Sequence, residues 1–210
     1  MNERMRRSKA AETGTSLVAA KNAGNPEGKG VNGFLRDWHA SRPRGVVAKP
    51  RRQLLAEFFT SMLVLSAQFR FQPVVGKPYF LYWFDDQWVL SLVAPEQWAD
   101  EKGACFAGTC VLQRDKTWTM TPSASLGDDN DVSRAVSRFY DAFVSKLDTD
   151  LALEEILPRH LDTLPYYQRL YASAVSRSLQ AAMTLGDQTA TSCREWLLLL
   201  PKRQQVLPQP

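Results

Sequence analysis

Three cysteines and two histidines are the residues in this chain best suited to nucleophilic catalysis or metal binding. Cys105 and Cys110 lie five positions apart, whereas Cys193, His39 and His160 are distant from them in sequence. Zinc sites usually draw their ligands from closely spaced pairs, which this chain does not offer. An odd number of cysteines also does not predict a disulfide framework. We therefore expect buried free thiols, no metal site and no cofactor.

The sequence contains none of the common catalytic motifs that would indicate an enzyme. The patterns G-x-x-x-x-G-K-[ST], G-x-G-x-x-G and G-x-S-x-G do not occur in the sequence. Cys193 has no histidine nearby in sequence that would activate its thiol, and His160 is predicted in a turn. The pair Asp85–Asp86 is typical of a hairpin loop. We expect a protein that is not an enzyme.

Basic and aromatic residues together could bind RNA or single-stranded DNA. The net charge is +8 over residues 1–52 and −4 over residues 53–210. The aromatic stretch lies within residues 70–122, whose net charge is −1, and stacking without a positive field binds phosphates weakly. We interpret the basic segment first as a solvated tail and second as an anion site. The candidates for that site are Arg42, Arg44, Lys49, Arg51 and Arg52.

The length and composition are those of an ordinary globular protein. The 210 residues are 44% hydrophobic and 23% charged, enough for one core. No apolar run approaches the roughly 20 residues of a membrane span. The charged N-terminal stretch is not followed by the apolar segment of a secretory signal. We expect a cytoplasmic protein that does not contact a membrane.

Residues 1–49 are predicted to form a flexible basic arm. Glycine and proline are frequent there and apolar residues are few, so a core cannot form. A short helix over residues 32–41 would place Phe34 and Trp38 on one face. We expect this helix to anchor the arm or to contact a partner.

Residues 50–125 are predicted to form a helix followed by a sheet. Apolar residues at helical spacing indicate a buried helix over residues 50–69. The period then changes to two, and aromatic and β-branched residues indicate four strands up to residue 122. Asp85, Asp86 and Gln87 would form the first hairpin loop. Because the strands follow one another directly, we predict an antiparallel meander.

Gly108 interrupts the third predicted strand. A glycine inside a strand indicates a β-bulge or the close approach of another group.

Residues 126–201 are predicted to form C-terminal helices on the same body, followed by a loose tail over 202–210. The periodicity indicates helices over 128–147, 165–187 and 189–201. The predicted class is therefore α+β, with a four-stranded antiparallel sheet on an apolar helix and a C-terminal helical layer.

Six consecutive bulky residues, 79–84, raise the question of what covers the sheet. Alternation sends three side chains to each face. We expect helix 50–69 to cover one face and the C-terminal helices to form a second layer over the other. Aromatic side chains left exposed would bind a partner. The candidates are Phe34, Trp38, Tyr79, Tyr82, Trp83 and Trp98.

The aromatic strands also carry a recognisable pattern. A G-x-x-Y-x-L-Y strand, a W-x-L-S-L-V-x-P-x-x-W strand and a closing D-x-x-W strand follow an apolar helix. The matching positions are Gly76, Tyr79, Leu81, Tyr82, Trp88, Leu90, Ser91, Leu92, Pro95, Trp98, Asp115 and Trp118. In these features the chain resembles an uncharacterised bacterial family defined by a domain of unknown function, over about residues 25–185. The resemblance implies no activity.

The leading hypothesis is a non-enzymatic cytoplasmic adaptor or regulator that binds a protein partner or a second copy of itself. The first alternative is RNA or single-stranded DNA binding through the basic arm and the aromatic sheet. The second alternative is a small-ligand pocket between the sheet and the C-terminal helices.

Overall fold

A computed structural model of the protein describes residues 30–98, 105–127, 130–158 and 164–200. The chain divides into two units, of which the first contributes residues 30–40 to this description and the second begins at Ser41. The predictions for residues 1–29, for His160 and for the tail 202–210 lie outside the described residues.

The first unit contains helix α1 (Val31–Ala40), which confirms the predicted short helix. Phe34 and Trp38 lie one turn apart, as the spacing predicted, and their rings stack with centroids 6.1 Å apart. Phe34 is 44% exposed, so this pair presents aromatic surface on one side of the helix.

The second unit is built on helix α2 (Arg51–Ser66), which follows Pro50 as predicted. Leu54, Phe58 and Leu63 are fully buried, as the apolar pattern required. The helix stops three residues before the predicted end because residue 68 pairs with the sheet. The Gln68 N–H donates to the Trp88 carbonyl at 2.8 Å, and the Leu90 N–H donates to the Gln68 carbonyl at 3.1 Å.

Four antiparallel strands form the predicted sheet: β1 (Pro78–Phe84), β2 (Gln87–Ser91), β3 (Phe106–Leu112) and β4 (Trp118–Pro122). The β1–β2 turn contains only Asp85 and Asp86, at φ 48° and 57°. Two consecutive left-handed residues give the tight turn whose twist suits a hairpin. Gln87, predicted in the loop, therefore pairs with Phe84.

The order of the strands is β2-β1-β3-β4, so the predicted meander is wrong. The far side of β2 is already occupied by Gln68, which leaves only the free side of β1 for β3. The number of residues between β2 and β3 is much larger than the roughly 2–5 residues of a hairpin loop, so the two strands need not be neighbours in the sheet.

Each edge of the sheet is partly blocked. Gln68 pairs along β2. At the edge formed by β4, the Trp118 N–H donates to Ser61 Oγ of α2 at 3.0 Å, and Pro122 has no N–H to offer.

Helices α3 (Asp131–Leu147), α4 (Tyr166–Leu185) and α5 (Cys193–Leu197) complete the C-terminal helical region and confirm the α+β class. The Asn130 side chain caps α3 by accepting from the Ser133 N–H at 2.8 Å. Helix α5 is shorter than the predicted 189–201. Ser192 forms a bridge to Ala152 and caps the helix, so the helix cannot start earlier.

The expectation that the C-terminal helices cover the second face of the sheet is wrong. Helix α3 lies on the same side as α2, where the Phe143 ring meets Phe58 at 5.2 Å. On this side Arg138 of α3 also lies over the Trp83 ring, at 5.5 Å. The apolar stripe of α3 finds its partners on α2, and α4 packs against α2 as well.

The structure confirms both predictions for Gly108, a nearby β-bulge and the close approach of another group. The β1–β3 register shifts between Leu81 and Tyr82, which marks a bulge opposite this position. A Cβ at residue 108 would lie 2.6 Å from the carbonyl oxygen of Thr121 on β4.

We expect Gly108→Ala to lower the free energy of unfolding by about 1–3 kcal/mol, because the added methyl group would push β4 away. Urea denaturation of the purified variant measures this. The matched control is Gly30→Ala, where a Cβ meets nothing within 4 Å. Equal unfolding midpoints for the two variants would show that β4 moves away from the added methyl group without a measurable loss of stability.

Candidate functional site

The side of the sheet that faces away from α2 and α3 carries a second group of aromatic side chains, which we call the outer aromatic face. Its members do not belong to the main hydrophobic core. They are Phe80, Tyr82, Phe84, Trp98 and Phe106.

Tyr82 is the centre of the outer aromatic face. Its ring centroid lies 5.4 Å from Phe84, 5.5 Å from Phe106 and 5.8 Å from Trp98. Its hydroxyl donates to the Val93 carbonyl at 2.9 Å, and the Trp98 indole N–H donates to the same carbonyl at 3.3 Å. Tyr82 is fully buried under its neighbours, and burial raises the pKa of its hydroxyl. The face is therefore a preformed cluster with half-buried rings around a fixed centre.

Exposed apolar and acidic residues surround this cluster. Leu92 is 62% exposed and Val93 is 37% exposed at the end of β2. Asp85 and Glu96 are also exposed, and Glu96 adds to the raised pKa of Tyr82. Asp86 instead forms an ion pair at 4.0 Å with Arg138 of α3, on the helical side of the sheet. The surroundings of the face are thus apolar, with the negative charge of Glu96 beside Tyr82.

The aromatic candidates from the sequence separate into different environments. Tyr82 and Trp98 belong to the outer aromatic face. Trp83 points to the opposite side, where it meets Trp88 at 4.9 Å. Tyr79 lies in the main core, and its hydroxyl accepts from the Val74 N–H at 2.6 Å, so it offers no binding surface.

Three members of the outer aromatic face were not among the sequence candidates. Phe80 and Phe84 lie two positions on either side of Tyr82, so strict alternation along β1 could have identified them. Phe106 could not be found in this way, because its pairing with Tyr82 depends on the strand order.

Lys49, a predicted anion ligand, lies instead in a buried ion triad with Glu57 and Asp115. Its Nζ lies 2.5 Å from Glu57 Oε2 and also forms a short ion pair with Asp115 Oδ2. Gln53 donates to the other Glu57 oxygen at 2.9 Å. Thr117 donates to Asp115 Oδ1 from its N–H at 3.1 Å and from its hydroxyl at 2.7 Å. The charge of Lys49 is therefore neutralised within the protein.

The triad shifts two pKa values in opposite directions. Burial alone would raise the pKa of Asp115, but the hydrogen bonds from Lys49 and Thr117 outweigh it and leave the pKa lowered. Burial alone would lower the pKa of Lys49, but Asp115 and Glu57 outweigh it and leave the pKa raised. Lys49 and Asp115 therefore stay charged over a wider pH range than the same side chains do in water.

The other basic candidates are distributed over several places in the second unit. Arg51 donates to Thr191 Oγ1 at 2.9 Å and lies over the Trp196 ring at 5.7 Å. Arg52 is exposed on the first turn of α2. Arg42 is exposed, and its charge lowers the pKa of Arg177, which burial lowers first. Arg44 is exposed, and its N–H donates to the Arg114 carbonyl at 3.1 Å.

The cysteines have the environment of structural residues. Cys110 and Cys193 are buried, and burial raises the pKa of both thiols. Burial also raises the pKa of Cys105, and Asp131 and Asp85 add to the shift. A raised thiol pKa opposes formation of the reactive thiolate. Among the described residues, no group of three or more His, Cys, Asp or Glu side chains could hold a metal ion.

The sheet, its covering helices and the ion triad define an α+β domain with one helical side and one aromatic side. Residues 46–142 match the family model described as "Protein of unknown function (DUF2452)". This range contains the ion triad and the outer aromatic face. The predicted resemblance to a family of unknown function is confirmed over residues 46–142, and its wider extent, 25–185, stays a prediction. No curated protein and no solved structure matches the chain. None of the described helices is long and apolar enough to span a membrane.

We expect Lys49→Met to lower the free energy of unfolding by about 3 kcal/mol, because Glu57 and Asp115 would remain as buried charges without a counterion. Chemical denaturation at pH 7 measures this. Lys77→Met is the control, because Lys77 is exposed and should change stability by less than about 0.5 kcal/mol. A loss equal to that of the control would mean that the triad contributes nothing.

The pH dependence of stability should identify Asp115. Its pKa is lowered on folding, so its stabilising contribution is present above 3.8, its ordinary value, and is lost as the pH falls through the folded pKa. The difference in stability between the natural protein and Asp115→Asn should therefore shrink as the pH falls from about 5 to about 2. Urea midpoints measured at several pH values give this difference. A difference that stays constant with pH would contradict the assignment.

Proposed function

We propose that the protein is a non-enzymatic cytoplasmic adaptor or regulator that binds a protein partner through the outer aromatic face. The observation that carries this proposal is the cluster around Tyr82, which lies apart from the main core on the side of the sheet opposite α2 and α3. The residues that contribute most to binding at protein interfaces are often aromatic and cluster together in well-packed regions. The cytoplasmic location and the bacterial origin of the family remain predictions from the sequence.

The rim of the face supports a particular kind of partner. Leu92 and Val93 extend the apolar surface beyond the rings. Glu96 and the exposed Asp85 would favour basic side chains beside an apolar segment. The same carboxylates oppose nucleic acid on this face, because they would repel its phosphates. A protein segment with apolar residues flanked by Lys or Arg is the partner that this chemistry fits.

The raised pKa values of the thiols support the non-enzymatic part of the proposal. Cys105, Cys110 and Cys193 all hold their protons more firmly than a free cysteine does. None of them resembles an activated nucleophile.

Site-specific photo-crosslinking in the cells that make the protein would test the proposal. A photoreactive phenylalanine analogue replaces Phe84 on the outer aromatic face, and the matched control carries it at Thr119, which is exposed on the same side of the sheet. We expect a discrete protein adduct from position 84 and none from position 119. We also expect Glu96→Lys to reduce the adduct, because it reverses one rim charge. No adduct from position 84, or equal adducts from both positions, would contradict the proposal.

A further inference from the structure

Helix α1 exposes its apolar side chains and buries an acidic one. Val31 is 75% exposed, Phe34 44% and Leu35 45%, whereas the buried residue of the helix is Asp37. An amphipathic helix that packs only within its own protein shows the reverse distribution, with apolar residues inside and charged residues outside. The exposed apolar side of α1 therefore suits contact with another surface.

The apolar residues of α1 have the spacing of a helical docking motif. They occur at positions i, i+3, i+4 and i+7, which share one side of a helix. They are Val31, Phe34, Leu35 and Trp38, and we call them the α1 stripe. Helices that bind in apolar grooves of partner proteins use anchors at this spacing.

The charge beside the α1 stripe is positive. Arg36 and His39 are exposed on the helix, whereas its only acidic residue, Asp37, is buried. The exposed surface of α1 is therefore apolar and basic, which is the chemistry that the outer aromatic face fits in a partner.

The outer aromatic face complements the α1 stripe in charge and in length. Its rings are apolar, and Glu96 and the exposed Asp85 add negative charge. The ten-residue helix α1 is about 15 Å long at 1.5 Å per residue. Phe80 and Phe84 lie about 13 Å apart along β1 at the usual rise of a strand. One helix of this size can therefore cover the row of rings.

We infer that the partner of the outer aromatic face is a second copy of this chain, whose helix α1 places Phe34 and Leu35 on the rings and Arg36 beside Glu96. This inference rests on the proposed function, because it uses the same face. Each copy supplies one helix and one face, so a symmetric dimer contains the contact twice. The repetition brings a short helix closer to the roughly 1,200 Å² of buried surface that a stable interface needs.

Sedimentation equilibrium of the full chain over a range of concentrations measures this association. We expect a reversible equilibrium between monomer and dimer. Phe34→Ser should raise the Kd of the dimer about tenfold or more, because aromatic anchors dominate interface energies and the substitution acts twice. The matched control is Val74→Ser in the segment before β1. Val74 is 49% exposed but belongs to neither surface, so its substitution should leave the Kd unchanged.

A charge exchange tests the pairing of Arg36 with Glu96. Arg36→Glu should raise the Kd, because it brings a second carboxylate to Glu96, and Glu96→Lys alone should also raise it. The variant that carries both substitutions should recover most of the lost affinity, since the opposite charges meet again. Arg52→Glu reverses an exposed arginine of α2 and should leave the Kd unchanged.

Photo-crosslinking of the purified protein separates this inference from the proposed function. With the photoreactive phenylalanine analogue at position 84, we expect an adduct between isotopically distinct copies, in which the crosslinked peptide contains residues 31–38. A strictly monomeric protein, or an equal Kd for Arg36→Glu and the doubly substituted variant, would overturn the inference. Adducts in cells that contain only a different protein would overturn it and leave the proposed function standing. The absence of any adduct would contradict both.

Discussion

The ion triad of Lys49, Glu57 and Asp115 connects three stretches of chain that are otherwise distant in sequence. It ties the segment before α2, the second turn of α2 and the β3–β4 hairpin to one buried point. Burying three charges is costly, and the cost is offset only because Gln53 and Thr117 satisfy the remaining carboxylate oxygens. A hydrophobic contact at the same place would tolerate sliding, whereas two directed ion pairs fix the hairpin against the helix in one arrangement.

One side of the sheet is covered by helices and the other carries the outer aromatic face, because the apolar side chains of α3 pack against α2. Phe143 contacts both Phe58 and Phe59, so the apolar stripe of α3 is satisfied on the side that α2 already covers. The rings around Tyr82 instead contact one another and the segment after β2. The bulge at Leu81–Tyr82 brings Phe106 opposite Tyr82 and leaves Ala107 buried. A local irregularity in one strand pair thus assembles the aromatic cluster.

Local patterns in the sequence were sufficient for the elements and for the class of the fold. The stacking of Phe34 and Trp38, the alternation along β1 and the role of Gly108 follow from spacing within a few residues. The strand order did not follow, because it depends on the backbone of Gln68 pairing with β2, which no side-chain pattern encodes. The ion pairs that neutralise Lys49 could not be predicted from the sequence either, because Asp115 lies 66 positions away. The left-handed backbone of Lys116 was likewise not indicated by its residue type, because glycine and asparagine are the usual residues there.

The hydrogen bonds at the two sheet edges affect how copies of this protein can associate. Gln68 forms two hydrogen bonds with the outer side of β2, and at β4 Ser61 accepts from the Trp118 N–H and Pro122 has no N–H to offer. Open strand edges are the usual starting points for polymerisation and domain swapping. These contacts leave fewer donors and acceptors for an added strand at either edge, so growth of the sheet by strand addition is disfavoured. Association through side chains on a face of the sheet is favoured in comparison.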